Sequence, residues 1–365
     1  MKKIIMLFLL SSLSFLSFAA GRNDNSNLSL PKIDKRVELL SIVFRLAGNY
    51  EYNMDMFKNY VKDIHDYFDK YKDHPLIVFA SKLRDTRGVG FDAVMKMAVH
   101  INQPPELNPI IPFTSMVPEP RWGKEDAEKF IELLKQFYID TKCEEFFKQH
   151  DDMFLIAQER FKIVYDHFDV GWYNKFYGTA PKGSFNILIG LGNGGGNYGA
   201  KIVYPDNKED VYAIMGTWTA DSLGKPIYRW DGYLPTLIHE FNHSYVNHLI
   251  DGNAKAFENS GIILFEQVKD KMKRQAYPNW QIMMNEPLVR ASVIRYLKSH
   301  NNNPIEINNE IQTQIVKGFT WMKELVAALE FYENNRDEFP TLESFITMLV
   351  SFYDDLTLNT KVPVK

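Results

Sequence analysis

The stretch TLIHEFNHSYV, residues 236–246, carries the most information in this chain. Within it, His239 and His243 stand four residues apart, Glu240 follows the first histidine, and the flanking residues are uncharged. In a helix, residues four apart lie about 40° apart around the axis and roughly 6 Å along it, so both imidazoles can reach one metal ion. The Glu240 carboxylate lies on the adjoining edge of that face, where it can address a metal-bound water.

The residues around this motif favour a single helix from about Tyr233 to Asp251. Pro235 suits a first helical turn because its missing N–H costs nothing there, and Gly252 suits a C-terminal stop. A bare HExxH pattern arises by chance in roughly one chain in a hundred of this length. The uncharged residues on both sides of the motif are therefore needed to support a metal site.

Two histidines do not complete a catalytic zinc site, which has three protein ligands and a water. The pattern HExxHxxGxxH is excluded because Val246 and Leu249 occupy the positions of its glycine and third histidine. His248 lies about 140° around the helix from His243 and is therefore off the ligand face. A distant carboxylate is the better candidate for the third ligand.

Glu286 is the favoured carboxylate, and Glu266 is the alternative. Glu286 lies in Asn285-Glu286-Pro287-Leu288, which we interpret as the head of a helix running to about Lys298. Arg290 follows one turn later on the same face, where it can hold the carboxylate in place. Glu266 lies nearer to the motif, but in a plainer apolar helix.

With these residues the chain resembles the gluzincins, the thermolysin-like metallopeptidases, whose third ligand is a glutamate often preceded by asparagine. The spacing departs from theirs, because many gluzincins place that glutamate about 20–25 residues after the second histidine, whereas Glu286 is 43 positions after His243. Residues 33–40, 239–247 and 286–295 are closely similar to an uncharacterised family of exported bacterial proteins, labelled only as a domain of unknown function and associated with the gluzincin clan. This resemblance implies a zincin-like core and supports Glu286, but it implies no substrate.

The resulting expectation is a zinc metallopeptidase that acts on a peptide or protein. Zn²⁺ would activate a water, and Glu240 would take the proton of that water and pass it to the leaving amine. The tetrahedral oxyanion needs one further donor. The candidates are Arg290 and Tyr296, followed by His300 and Tyr245. Asn247, one turn beyond His243, suits either a hydrogen bond to that ligand or a contact at the helix end.

The first 20 residues have the pattern of an export signal. Lys2 and Lys3 precede an apolar run from Ile4 to Phe18, and the small residues that follow predict cleavage near residue 19 or 20. We therefore expect a periplasmic or secreted bacterial protein without a stable membrane anchor after cleavage. The net charge of −4 gives no support for nucleic-acid binding. The sequence leaves the oligomeric state open.

The predicted fold class is α+β and mainly helical: a zincin-like core with a small sheet, the HExxH helix and a helical C-terminal lobe. We expect a disordered leader over 21–29, an N-terminal helical lobe over 30–175, the sheet and metal-binding helix over 176–252, and a C-terminal lobe over 253–365 that carries the third ligand. The first helix, from about Arg36, has the pattern of an amphipathic helix with a charged back.

Strand-like residues lie at 185–189, 200–204 and 211–215. The glycine-rich segment 190–197 between the first two is only superficially like a phosphate loop, because it lacks the Lys-Ser/Thr pair. We interpret it as a hairpin loop. In the alternative interpretation it borders the cleft, where a neighbouring edge strand could pair with an extended peptide.

Two other functional interpretations remain. One is a non-proteolytic zinc-binding protein that binds peptides or glycans on a zincin scaffold. The other is a mainly helical interaction protein in which the HExxH pattern is fortuitous. Metal analysis distinguishes the interaction protein from the other two interpretations, because the peptidase and the non-proteolytic binding protein both bind zinc.

Overall fold

The structure is a computed structural model that describes residues 27–54, 56–179, 183–300 and 303–358. The predicted export signal, the predicted leader up to residue 26 and the last residues of the predicted C-terminal lobe lie outside these ranges. Within them, no helix is both long enough and apolar enough to cross a membrane.

The fold is α+β and mainly helical, as predicted. The strands are β1 (Lys32–Ile33), β2 (Phe185–Gly190), β3 (Tyr198–Val203), β4 (Glu209–Gly216), β5 (Thr219–Ala220) and β6 (Pro226–Ile227). The helices before the sheet are α1 (Lys35–Leu46), α2 (Lys58–Phe68), α3 (Pro75–Arg87), α4 (Asp92–Val99), α5 (Lys124–Asp140), α6 (Cys143–Gln149), α7 (Asp151–Tyr165) and α8 (Gly171–Tyr177). After it come α9 (Trp230–Gly252), α10 (Ala254–Arg274), α11 (Trp280–Ser299), α12 (Pro304–Lys317), α13 (Met322–Asn334) and α14 (Ile346–Leu358).

The main sheet has four strands in the order β1-β2-β4-β3. β1, β2 and β4 run parallel, whereas β3 is antiparallel to β4 and lies at the edge. The hairpin predicted for segment 190–197 is therefore wrong, because β4 separates β2 from β3. The true hairpin joins β3 to β4 through the turn closed by Tyr204 and Lys208. A parallel β2–β4 pair needs a longer crossover than a tight turn provides, and β3 lies within that crossover.

Helix α1 is buried along almost its whole length, so the expected charged back does not face solvent. Its charged side chains are instead satisfied internally. Arg36 is paired with Asp34, and Glu38 accepts hydrogen bonds from the backbone N–H groups of Leu191 and Gly192. Because a buried polar group needs hydrogen-bond partners, these contacts hold the glycine-rich segment 190–197 against α1.

Two helices begin earlier than predicted. Helix α9 begins at Trp230, so Pro235 lies inside the helix rather than in its first turn. Helix α11 begins at Trp280, where the Asn279 side chain accepts a hydrogen bond from the backbone N–H of Ile282 at 3.0 Å. This cap places Glu286 in the second turn of α11 rather than at its head.

Candidate metal centre

Helices α9 and α11 pack against each other and bring together His239, His243 and Glu286. The ligand atoms of these three residues all lie within 4.8 Å of one another. The Nε2 atoms of the two histidines are 3.1 Å apart. The Glu286 carboxylate oxygens lie 3.7 Å from Nε2 of His239 and 3.6 Å from Nε2 of His243. In the described residues, this is the one group of three or more histidine, cysteine or acidic side chains with such spacing.

The imidazole of His243 is oriented by Asn247, whose side-chain oxygen lies 3.1 Å from Nδ1. An amide oxygen only accepts hydrogen bonds, so this contact favours the tautomer with its proton on Nδ1. Nε2 of His243 then presents a lone pair toward the other two side chains. Asn242, the residue before His243, donates to the backbone carbonyl of Val289 at 3.2 Å and joins the two helices.

The Glu286 carboxylate is held by Arg290, whose Nη2 and Nε lie 2.8 and 3.0 Å from Oε2. Arg290 in turn donates to Gln314 at 3.0 Å and to the hydroxyl of Tyr277 at 2.9 Å. Burial by itself raises the pKa of Glu286, but Arg290 and the two histidines outweigh it and lower the pKa to about 2. The carboxylate is therefore ionised throughout the physiological range, which suits a ligand to a cation.

The Glu240 side chain is buried beside this cluster, on the same helix and against strand β3. Burial raises its pKa to about 7, with the neighbouring Glu286 acting in the same direction, and His243 and the Gly199 backbone N–H acting against them. Burial also lowers the pKa of His239 well below the usual value. An uncharged imidazole and a carboxyl group near its own pKa can bind a metal and exchange a proton.

Other candidate residues lie away from the cluster. Tyr296 is ten residues beyond Glu286, which corresponds to about 15 Å along a helix. Its hydroxyl accepts from the backbone N–H of Asp169 at 2.6 Å, and His300 lies 3.2 Å from the Asp169 carboxylate. Tyr245 stacks on an aromatic neighbour, Tyr177. The structure therefore does not bring Tyr296, His300 or Tyr245 to the candidate metal centre.

Glu266, the alternative third ligand, is exposed and pairs with Lys269 at 2.8 Å. No sequence pattern pointed to Tyr277, Gln314 or Gly199 as parts of the site. Each reaches it through packing between elements that are distant in sequence, and no spacing rule connects them to the motif.

These features define an α+β, mainly helical protein with a candidate centre of two histidines and one glutamate. The sequence model of the family described as "Domain of unknown function (DUF4932)" matches residues 30–352. The chain therefore belongs to this family, which agrees with the resemblance to a family of unknown function. No curated protein and no solved structure gives a significant match to the chain.

Proposed function

We propose that this protein is an exported zinc metallopeptidase of the gluzincin type, with a zincin-like core formed by the sheet, α9 and α11. The observation that carries the proposal is the convergence of His239, His243 and Glu286 beside the buried carboxyl group of Glu240. Two imidazoles and one carboxylate form the ligand set of a hydrolytic zinc site, and a nearby carboxyl group can serve as its general base.

The spacing of the donors fits zinc. Tetrahedral bonds of about 2.0–2.1 Å place neighbouring ligand atoms about 3.3 Å apart. The separations of 3.1, 3.6 and 3.7 Å among His239, His243 and Glu286 bracket that value. These three residues would hold the ion and would leave one position for a water.

The chemistry that Zn²⁺ supplies in such a site is Lewis acidity toward a water and a carbonyl oxygen. Glu240 acts as the general base, because its buried carboxyl group is adjacent to the ligands and its pKa is raised to about 7. It accepts a proton from the water and donates it to the leaving amine, so the carboxyl group returns to its starting state.

Arg290 serves this site as a positioning residue rather than as an oxyanion donor. Its Nε, Nη1 and Nη2 atoms already donate to Glu286, Gln314 and Tyr277. A donor engaged in this way holds Glu286 in its ligand orientation and keeps the carboxylate ionised.

Strand β3 supports a peptide as the substrate. It pairs with β4 on one side and lies at the edge of the sheet order, beside Glu240. An extended peptide can add to such an edge through main-chain hydrogen bonds, which bind any sequence and place a scissile bond over the centre. We therefore propose peptides or proteins as the substrate class, in the periplasm or outside the cell.

Two measurements on the mature protein test this proposal together. Metal analysis by mass spectrometry is expected to give one zinc per chain, and a broad peptide library is expected to be cleaved in a chelator-sensitive way. A protein that holds zinc but cleaves nothing would instead support the non-proteolytic binding protein. A protein free of metal after loading with zinc would overturn both interpretations.

A further inference from the structure

A pocket of about 290 Å³ lies at the N-terminal end of α9. Most of its lining surface is apolar. Its lining residues are Trp218, Thr219, Arg229, Asp231, Gly232 and Tyr233. No contact described for the metal cluster uses these side chains.

The aromatic wall of the pocket is fixed in place. Trp218 stacks on Tyr233 with ring centroids 3.9 Å apart and planes 21° apart. The Trp218 indole N–H donates to the Gly195 carbonyl at 2.9 Å, and its backbone N–H donates to the Tyr233 hydroxyl at 3.0 Å. A half-buried indole held by a ring stack and a hydrogen bond, on a backbone that is itself anchored, offers contact area at little cost in side-chain entropy, as binding sites for apolar groups do.

Gly232 is an exposed residue that lines the pocket, and it lies on the same face of α9 as the proposed metal ligands. Seven residues separate it from His239 and eleven from His243, so it lies within about 20° of each around the helix. It is roughly 10 Å from His239 along the axis. A Cβ at position 232 would meet only the Trp218 ring, at 3.9 Å, so a larger side chain would grow into the pocket without a backbone clash.

The charged residues at the rim do not define the specificity of the pocket. Arg229 and Asp231 pair with each other at 2.8 Å, and 79% and 52% of their side chains are exposed. An exposed pair of this kind leaves no net charge to attract a ligand and contributes little energy. The aromatic wall therefore dominates recognition.

We propose that this pocket is a specificity subsite that takes a large apolar side chain, aromatic or aliphatic, of the peptide substrate. The inference rests on the proposed peptidase function. An extended chain advances about 3.3–3.6 Å per residue, so the recognised side chain lies about three residues from the scissile bond. Its burial against Trp218 and Tyr233 adds transition-state binding only for substrates that carry such a residue.

The test compares two leucine substitutions on one helix. Gly232→Leu fills the pocket. The matched control is Gly252→Leu, at the other end of α9, where the glycine has open space around it and lies on the opposite face. Each zinc-loaded protein is assayed by positional cleavage of a peptide library that varies one residue at a time.

Wild type and Gly252→Leu are expected to prefer Phe, Tyr or Leu over Ala by about 10- to 100-fold in kcat/KM at one position. Gly232→Leu is expected to lose this preference for a large apolar residue, whereas Gly232→Ala is expected to keep most of it. A wild type without such a preference, or a Gly232→Leu protein that retains it, would overturn the subsite.

A binding measurement separates this inference from the proposed peptidase activity. N-acetylphenylalaninamide and N-acetylalaninamide are titrated into each protein, with the fluorescence of wild type compared with that of Trp218→Phe. If wild type cleaves nothing, the peptidase proposal fails. A Trp218-dependent response to the phenylalanine probe, absent in Gly232→Leu, would still support the pocket. An equal response to the two probes would overturn the pocket as well.

Discussion

Gly199 of β3 lies directly against the backbone of Glu240 in α9. A Cβ built at position 199 would lie 2.5 Å from the Glu240 carbonyl oxygen and 3.5 Å from Cβ of His243. Glycine therefore permits the approach of the edge strand to the helix that carries the proposed metal ligands. The same approach brings the Gly199 N–H to the Glu240 carboxyl group, where it lowers the pKa against the effect of burial.

This contact predicts that Gly199→Ala is destabilising. The added methyl group meets backbone, which cannot move aside as a flexible side chain can, so we expect a loss of about 1–3 kcal/mol in the free energy of unfolding. Denaturant unfolding measures it. The control is Gly252→Ala, since a Cβ there meets nothing within 4 Å. If the two alanine variants were equally stable, β3 would not approach α9 as closely as described.

The proposed metal ligands make a second prediction. Alanine at His239, His243 or Glu286 is expected to abolish stoichiometric zinc after dialysis, because each removal leaves only two protein ligands. Glu266→Ala is the control, as this exposed residue is the rival third ligand and pairs with Lys269, its neighbour on α10. Retention of zinc by Glu286→Ala together with its loss from Glu266→Ala would reverse the assignment.

Arg290 supports a third prediction, because it positions Glu286 through two nitrogen atoms. Arg290→Lys keeps the charge but cannot reproduce the bonds to Glu286, Gln314 and Tyr277 at once. We expect its zinc Kd to rise about 10- to 100-fold, measured by competition with a chelator. The exposed Arg274→Lys on α10 is the matched control. An unchanged Kd for Arg290→Lys would remove the positioning role.

The general base is tested by Glu240→Gln. The amide cannot accept the proton of the water, so kcat is expected to fall by about 10²- to 10⁴-fold while zinc content stays at wild-type level. Glu258→Gln, an exposed site on the next helix, controls for the loss of one carboxylate. Unchanged turnover in Glu240→Gln would refute the assigned role.

The sequence predicted those parts of the site that depend on local geometry. The spacing within 239–243 places two imidazoles on one helical face wherever that helix lies. The stretch from Asn285 to Arg290 directed attention to Glu286, and the resemblance supported that choice. In contrast, Gly199, Tyr277 and Gln314 reach the centre only through packing between separate elements, which no local pattern encodes.

The sheet shows the same division. Its three longer strands were predicted from their apolar residues, but a strand's pattern does not identify its neighbours. The expected hairpin was wrong because β4 inserts between β2 and β3. The charged residues of α1 also suggested a solvated face, whereas their partners come from distant segments, such as the glycine-rich segment that Glu38 binds.

Glu38 yields a prediction about the pH dependence of stability. Burial raises its pKa from 4.5 to about 7, partly offset by the N–H groups of Leu191 and Gly192. Between those two pH values the unfolded chain has released the proton and the folded chain still holds it. The stabilisation that the protonated Glu38 side chain contributes is therefore fully present below about pH 4.5. It decreases as the pH rises and is lost above about pH 7. The shift corresponds to about 3 kcal/mol.

The measurement is denaturant unfolding of the metal-free protein at pH 4.5 and pH 8, with chelator present so that zinc release does not contribute. Glu38→Gln cannot titrate at this position. Between pH 4.5 and pH 8, wild type is therefore expected to lose up to about 3 kcal/mol more of its free energy of unfolding than this variant loses. The amide also loses one acceptor for the two N–H groups, but that cost is the same at both pH values. Glu258→Gln is expected to follow wild type. If Glu38→Gln followed it too, the Glu38 carboxyl group would not hold its proton in the folded state.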